Sequence, residues 1–271
     1  MRVLWLFACR EFSQALHNLW LVLSVAALLL LSLSLSLLDS APSGQLAASP
    51  LQITVVGLTS LGVYLIPLIG LLISFDSLVG EQEQSTLPLL MSYPISGWQL
   101  LAGKFLGSLW VIVIAVLIGY GSSGLVLMFN HSNGTEGWQS FVLLLCSSVL
   151  LGAVFLALGI LVSALANKRS SAIALSLSLW LVLVVLYDLG VLALILNSQE
   201  GSISETVFIG LLLSNPADAY RVLNLSSPDV GKLVGIWGSA DISIAGALSY
   251  MTLWIVLSLW GASTLLKRKK L

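Results

Sequence analysis

Apolar runs of about twenty residues, separated by short polar breaks, dominate the chain, at Leu19–Leu38, Ile53–Phe75, Phe105–Phe129, Phe141–Leu165, Ala172–Leu196 and Ser243–Leu266. At 1.5 Å of rise per residue, about 20 apolar residues cross the hydrocarbon core of a bilayer. The pattern therefore predicts an all-α integral membrane protein with six transmembrane helices, forming one domain over residues 1–271. Leucine and serine alternate over Leu31–Leu37 and Leu175–Leu179, which in isolation would read as half-buried strands or a membrane β-barrel. Both stretches lie inside unbroken apolar runs. Helices are expected there, with each serine bonded to the carbonyl one turn back or to a neighbouring helix.

The segments between the runs differ in kind. Over residues 1–18, Leu4, Trp5, Ala8, Phe12, Ala15, Leu16 and Leu19 share one face at helical spacing, and Arg10, Ser13, Gln14 and His17 share the other. This reads as an amphipathic interfacial helix or as an extended start of the first span. The first run is too long for a cleaved secretory signal, and retention is expected. Residues 76–104 form a connection far longer than two helices need to reverse, whereas 167–171 is minimal. In the longer connection Glu81 and Glu83 precede the apolar Leu87, Leu89, Leu90 and Met91, so a short helix against the membrane competes with a solvated turn. Pro94 ends that stretch, and Ser96 with Gln99 has capping-box spacing that restarts a helix. Residues 198–242 hold an apolar stretch, Val207–Leu213, broken at Asn215 and Pro216 and too short to cross; it dips into the membrane edge or forms a small external cap.

Composition strengthens the membrane reading, because only 8% of the 271 residues are charged and 58% are apolar. Charge placement adds orientation. Threading six spans puts Arg2, Arg10, Lys104, Lys168, Arg169, Lys267, Arg268, Lys269 and Lys270 on one side and only Arg221 and Lys232 on the other. By the positive-inside rule both termini face the cytoplasm, and the 198–242 segment lies outside.

Chemical motifs are sparse. Gly97, Gly103 and Lys104 approach a phosphate-binding loop but have one residue too many between the glycines, and Phe105 stands where a Mg²⁺-binding hydroxyl is needed. ATP-driven work then requires a second chain. His17 and His131 fall on opposite sides, Met91, Met128 and Met251 are scattered, and Cys9 and Cys146 define no framework, so no metal site is expected. Gly103 and Gly107 have the GxxxG spacing, and Gly119, Gly121 and Gly124 follow, which permits close helix approach. Asp188 is the one ionisable residue deep in a span, at an insertion cost of about 2.5–3.5 kcal/mol. It reads either as a relay or gating carboxylate facing the bundle interior, or as an acid bonded across a helix interface with help from Tyr187.

The run from Gly80 through Thr86 and Leu87, followed by Tyr93-Pro94 and Gly103-Lys104-Phe105, resembles the membrane subunits of ABC-2 type transporters, in which an acidic segment and Thr-Leu lead into Tyr-Pro and Gly-Lys. Phe75–Gly107 and Leu211–Ser226 are similar to the branch that serves nitrous oxide reductase maturation. Ser85 departs from the broader pattern, which carries glycine there, so the helix start is expected to be shaped differently. The resemblance implies an inner-membrane homodimer bound to a cytoplasmic ABC ATPase pair, which holds ATP and Mg²⁺; this chain has no cofactor. It further implies a periplasmic β-helical partner, an indirect link to a copper chaperone and nitrous oxide reductase, and no nucleic acid. Together with the long inner loop it assigns ATPase coupling to Glu81, Glu83, Thr86, Leu87, Leu90, Tyr93 and Pro94, and periplasmic contact to Asn215, Pro216, Asp218, Tyr220 and Arg221. Rival expectations are a permease conducting a sulfur or copper species past Asp188, and a stand-alone proton-coupled transporter. The first would show ATPase-dependent uptake; the second usually has internal repeats, and none is visible.

Overall fold

The computed structural model describes residues 9–13, 18–38, 50–86, 96–130, 137–197, 205–225 and 244–268. Leu87, Leu90, Tyr93 and Pro94, most of the interfacial segment, and residues 198–204 and 226–243 lie outside the described residues. Six helices are long and apolar enough to cross a membrane, and no strand occurs among the described residues.

The helices are α1 (Leu19–Leu38), α2 (Pro50–Ser74), α3 (Val79–Glu83), α4 (Gly97–Asn130), α5 (Trp138–Leu165), α6 (Arg169–Trp180), a π-helical segment (Leu181–Leu186), α7 (Tyr187–Asn197), α8 (Glu205–Ser214), α9 (Pro216–Leu225) and α10 (Ile244–Arg268). The fifth span is thus α6, the π segment and α7 in continuous succession. Span three begins at Gly97 rather than Phe105, because the Ser96–Gln99 capping box forms: Gln99 N donates to Ser96 Oγ at 3.3 Å, and Ser96 N to Gln99 Oε1 at 3.1 Å. Two extra turns bring Lys104 into the helix and shorten the connection from span two.

The core is built on α5, which packs against α2, α10, α4 and α9. Every residue from Leu151 to Ile160 is buried. Lipid tails are as apolar as leucine, so close packing and interhelical hydrogen bonds hold such helices together. A β-carbon at Gly159 would sit 1.9 Å from Ser74 Oγ, so only glycine lets α2 and α5 approach as they do. Serines stitch α1 to α4: Ser32 Oγ donates to the Gly119 carbonyl at 2.6 Å, and Ser36 Oγ to that of Ser123 at 3.3 Å. The Leu-Ser alternation in α1 is therefore helical, with serines one turn apart on the α4 side. Gly119 and Gly124 are used within the subunit, against Leu28 and Phe141.

Burial is uneven. In the most apolar window of the fourth span 67% of residues are buried, against 6% in the fifth. The fifth span lies on the outside of the bundle.

Candidate functional site

Two polar clusters lie at opposite ends of the bundle. At the end carrying Lys104, Arg169, Lys267 and Arg268, termed the basic end, the chain leaves α2 through a turn at residues 75–78 and enters α3. Ser163 on α5 anchors this entry, its Oγ accepting from Leu78 N at 2.9 Å and Val79 N at 3.0 Å. The α3 C-terminus closes with Ser85 N donating to Gln82 O at 3.1 Å and Thr86 N to Glu81 O at 2.9 Å. This is the Schellman pattern, which needs a left-handed residue after the cap. Ser85 supplies it at φ 56°, a conformation that favours glycine.

Glu81 and Glu83 diverge from α3. Glu81 turns inward: Lys104, with 2% of its side chain exposed, donates to Glu81 Oε1 at 2.9 Å and to Glu11 Oε1 at 2.6 Å. One buried ammonium thus ties the 9–13 segment, α3 and α4 together. Glu83 turns toward the fifth span, its Oε1 accepting from Arg169 N at 2.9 Å. Arg169 Nε also lies 2.7 Å from Asp76 Oδ1. A β-carbon at Gly80 would meet Asp76 Oδ1 at 2.6 Å and an Arg169 nitrogen at 2.8 Å, so the small residue leaves room for this ion pair. Thr86 Oγ1 donates back to Glu81 O at 3.1 Å.

At the far end, the segment that breaks at Asn215 and Pro216 forms a helical hairpin of α8 and α9, with α9 inserted among α5, α10, α2 and the π segment. Pro216, Asp218 and Tyr220 are buried. Asn215 organises the corner: its Oδ1 accepts from Ala217 N at 3.2 Å, and its Nδ2 donates to Leu183 O at 2.8 Å and Asp218 Oδ2 at 3.1 Å. Leu183 belongs to the π segment, a rare geometry that concentrates at functional positions. Tyr187 donates to Leu211 O at 2.8 Å and pairs with Ser214 Oγ at 2.6 Å, so it serves the hairpin rather than Asp188. Asp188 pairs instead with Arg221, which also donates to Asp218 Oδ1 at 2.9 Å. Two carboxylates thus share one guanidinium, Asp188 being 29% exposed, Arg221 13% and Asp218 1%.

Deeper along α9, Tyr220 OH lies 3.1 Å from Ser148 Oγ, Asn224 Nδ2 donates to Tyr220 O at 2.8 Å, and Ser147 Oγ donates to Asn224 Oδ1 at 3.0 Å. Tyr120 donates to Leu58 O at 3.0 Å. A β-carbon at Gly62 would lie 2.6 Å from both tyrosine hydroxyls. On α2, Pro67 removes a backbone donor, and the nearby Tyr64 carbonyl takes Trp180 Nε1 at 3.1 Å.

Of the residues singled out from sequence, Glu81, Glu83 and Thr86 thus meet at the basic end, and Asp188, Asn215, Pro216, Asp218, Tyr220 and Arg221 meet at the far end. Glu11, Asp76, Lys104 and Arg169 join the first cluster without having been assigned to the coupling site. Their partners lie 23 to 93 residues away, beyond any local period. The Gly103-Lys104 pair in the resemblance was the available signal for one of them.

The family model described as ABC-2 family transporter protein matches residues 5–271. The chain is 38% identical over 268 residues to the "Probable ABC transporter permease protein NosY" of Pseudomonas aeruginosa, covering 98% of this chain and 96% of that protein. It is 37% identical over 276 residues to the protein of the same name from Stutzerimonas stutzeri, covering 99% of each. The six spans, the all-helical fold and a match over nearly the full length agree, and the chain belongs to the ABC-2 transporter family as a multi-pass permease subunit.

Proposed function

We propose that this subunit couples ATP hydrolysis in a cytoplasmic partner to a periplasmic partner, and that it does so by moving as a mechanical link. The observation carrying this reading is that polar ties hold the fifth span at its start and over its far half, while only 6% of its most apolar window is buried; between them Trp180 Nε1 reaches the Tyr64 carbonyl of α2. Arg169 holds its start to Asp76 and Glu83, and Leu183, Tyr187 and Asp188 hold its far half to the α8–α9 hairpin. Arg169 and Asp188, the outermost of these residues, are about 28 Å apart at 1.5 Å per residue. A push on residues 76–86 is delivered to the hairpin through one exposed helix. Asp188 is paired with Arg221, which favours a structural tie over an open cargo path.

The basic end faces the cytoplasm by the positive-inside rule, and the surface around Glu83, Thr86 and the following residues to Pro94 meets an ABC ATPase that binds ATP and Mg²⁺. Glu81 acts one step inward, through Lys104. Two copies of the chain form the membrane unit in the inner membrane. The far end meets a β-helical periplasmic subunit, and the assembly serves copper-site assembly of nitrous oxide reductase through a copper chaperone, as the resemblance carried by Phe75–Gly107 and Leu211–Ser226 implies.

Gentle detergent extraction with a tag after Leu271 is expected to recover an ATPase and a large periplasmic protein; recovery of this chain alone refutes the assembly. Arg169→Gln is expected to leave both partners bound while abolishing the ATP-dependent change in protease protection of the α8–α9 hairpin. An unchanged response refutes the fifth-span link.

A further inference from the structure

A polar cavity of about 250 Å³ opens at the basic end, and an apolar groove of about 270 Å³ lies beside it between α1 and α4. The two adjoin at Leu21. Leu21 lines both, Glu11 faces the cavity while the adjacent Phe12 faces the groove, and on α4 the lining passes from Lys104 and Ser108 to Val111, Ala115 and Ile118. From Ser108 to Ile118 the helix rises about 15 Å, the depth of one leaflet of a ~30 Å hydrocarbon core.

The cavity's charges specify what it takes. Arg10, Lys104 and Arg169 face Glu11, Asp76 and Glu81, three cations against three anions, so a ligand with net charge of either sign is disfavoured. Lys104 and Arg169 are already paired, whereas among the described residues Arg10 has no ion-pair partner. On the acidic side, Glu81 is 9% exposed, and its Oε2 and Ser77 Oγ are buried without a hydrogen-bond partner. A carboxylate oxygen held this way demands a donor. A zwitterion offers an anionic phosphate to Arg10 and an N–H-bearing cation to Glu81 and Ser77, whose unmet oxygens reach it once those side chains turn toward the cavity. A quaternary ammonium has no N–H to give.

We propose that this composite site binds one aminophospholipid, a phosphatidylethanolamine, with its headgroup in the polar cavity and an acyl chain along the α1–α4 groove. The site stands independently of the coupling role proposed above. It gives the 9–13 segment a second attachment to α4, through lipid as well as through Glu11 and Lys104.

The test is native mass spectrometry of the full-length chain in mild detergent, titrated with dioleoyl phosphatidylethanolamine, phosphatidylcholine, phosphatidylglycerol or soluble phosphoethanolamine. The expected result is one retained phosphatidylethanolamine, bound at least tenfold more tightly than either other lipid, with no retention of phosphoethanolamine. Arg10→Ala weakens retention tenfold by removing the phosphate partner. Ala26→Phe, which fills the groove from an exposed position, does the same without touching a charge. Equal retention of phosphatidylcholine overturns the donor argument, and equal retention of phosphatidylglycerol the charge argument. Binding of soluble phosphoethanolamine, or indifference to Ala26→Phe, overturns the groove as acyl site.

Discussion

Arg221 is the only cation beside Asp188 and Asp218 among the described residues, and removing it should cost far more than removing either acid. In Arg221→Met two carboxylates face each other without a counterion, one of them 1% exposed. Breaking a buried pair by deleting one partner costs about 3–5 kcal/mol. Asp188 keeps 29% exposure and so retains part of its hydration, and the lower figure, about 3 kcal/mol, applies here. For a chain of this size that is a fall in Tm of roughly 6–12 °C. Asp188→Asn does the opposite to the balance. It leaves Arg221 and Asp218 as a one-to-one pair, and asparagine still offers Arg221 a carbonyl oxygen, so a change within about 1 kcal/mol is expected. The double variant should recover part of the loss, with a coupling of about 1–2 kcal/mol. The assay is thermal unfolding of the full-length chain in lipid nanodiscs, followed by the fluorescence of its nine tryptophans. If Arg221→Met unfolds within about 2 °C of the parent, or Asp188→Asn costs as much as Arg221→Met, shared neutralisation by Arg221 is wrong.

Asn215→Leu strips three hydrogen bonds from the hairpin corner and leaves Leu183 O and Ala217 N unmet, for a loss of about 2–4 kcal/mol; hydrogen exchange across 215–221 should accelerate, and unaltered protection contradicts the assignment. Gly62→Ala crowds both tyrosine hydroxyls and should cost about 1–3 kcal/mol. Tyr220→Phe in the same chain should cost less than the two changes summed, and strict additivity in a thermal-shift cycle counts against the contact. Ser85→Gly relieves the left-handed strain and should stabilise by under about 1 kcal/mol, whereas Ser85→Val should cost about 1–2 kcal/mol; a reversed order in detergent thermal shifts refutes the Schellman geometry.

The spans were legible because bilayer thickness imposes its length on the sequence. The run Leu19–Leu38 coincides with α1, and the other five fall within a few residues of their helices, except that span three starts eight residues earlier. That difference follows from a local signal, the Ser96–Gln99 box, whose consequence for Lys104 is tertiary. The break at Asn215 and Pro216 was equally plain. Its outcome was not, since Asn215 and the polar groups of α9 find their partners, Leu183, Ser147, Ser148 and Asp188, on other helices. The cost of burying Asp188 announced that a partner must exist. Only the fold could name Arg221, 33 residues on, in place of the neighbouring Tyr187. The π segment had no sequence signature, because a run of leucine and valine supports either helix; the hydrogen bond from Asn215 to Leu183 O accompanies it.

The inserted α9 also constrains how the protein is made. A helix carrying Asp218, Arg221 and Asn224 does not leave the translocon for lipid unaided. Its slot is walled by α2, α5 and the π segment, all synthesised before it, and by α10, synthesised after it. Biogenesis must therefore run out of chain order: five spans integrate, the hairpin waits in the aqueous phase, and the sixth span arrives before the hairpin can dock. Until then Arg221 has only Asp218, on its own helix, and Asp188 waits in the fifth span without its cation, so a nascent chain stalled before Ile244 leaves that carboxylate uncompensated in an incomplete bundle.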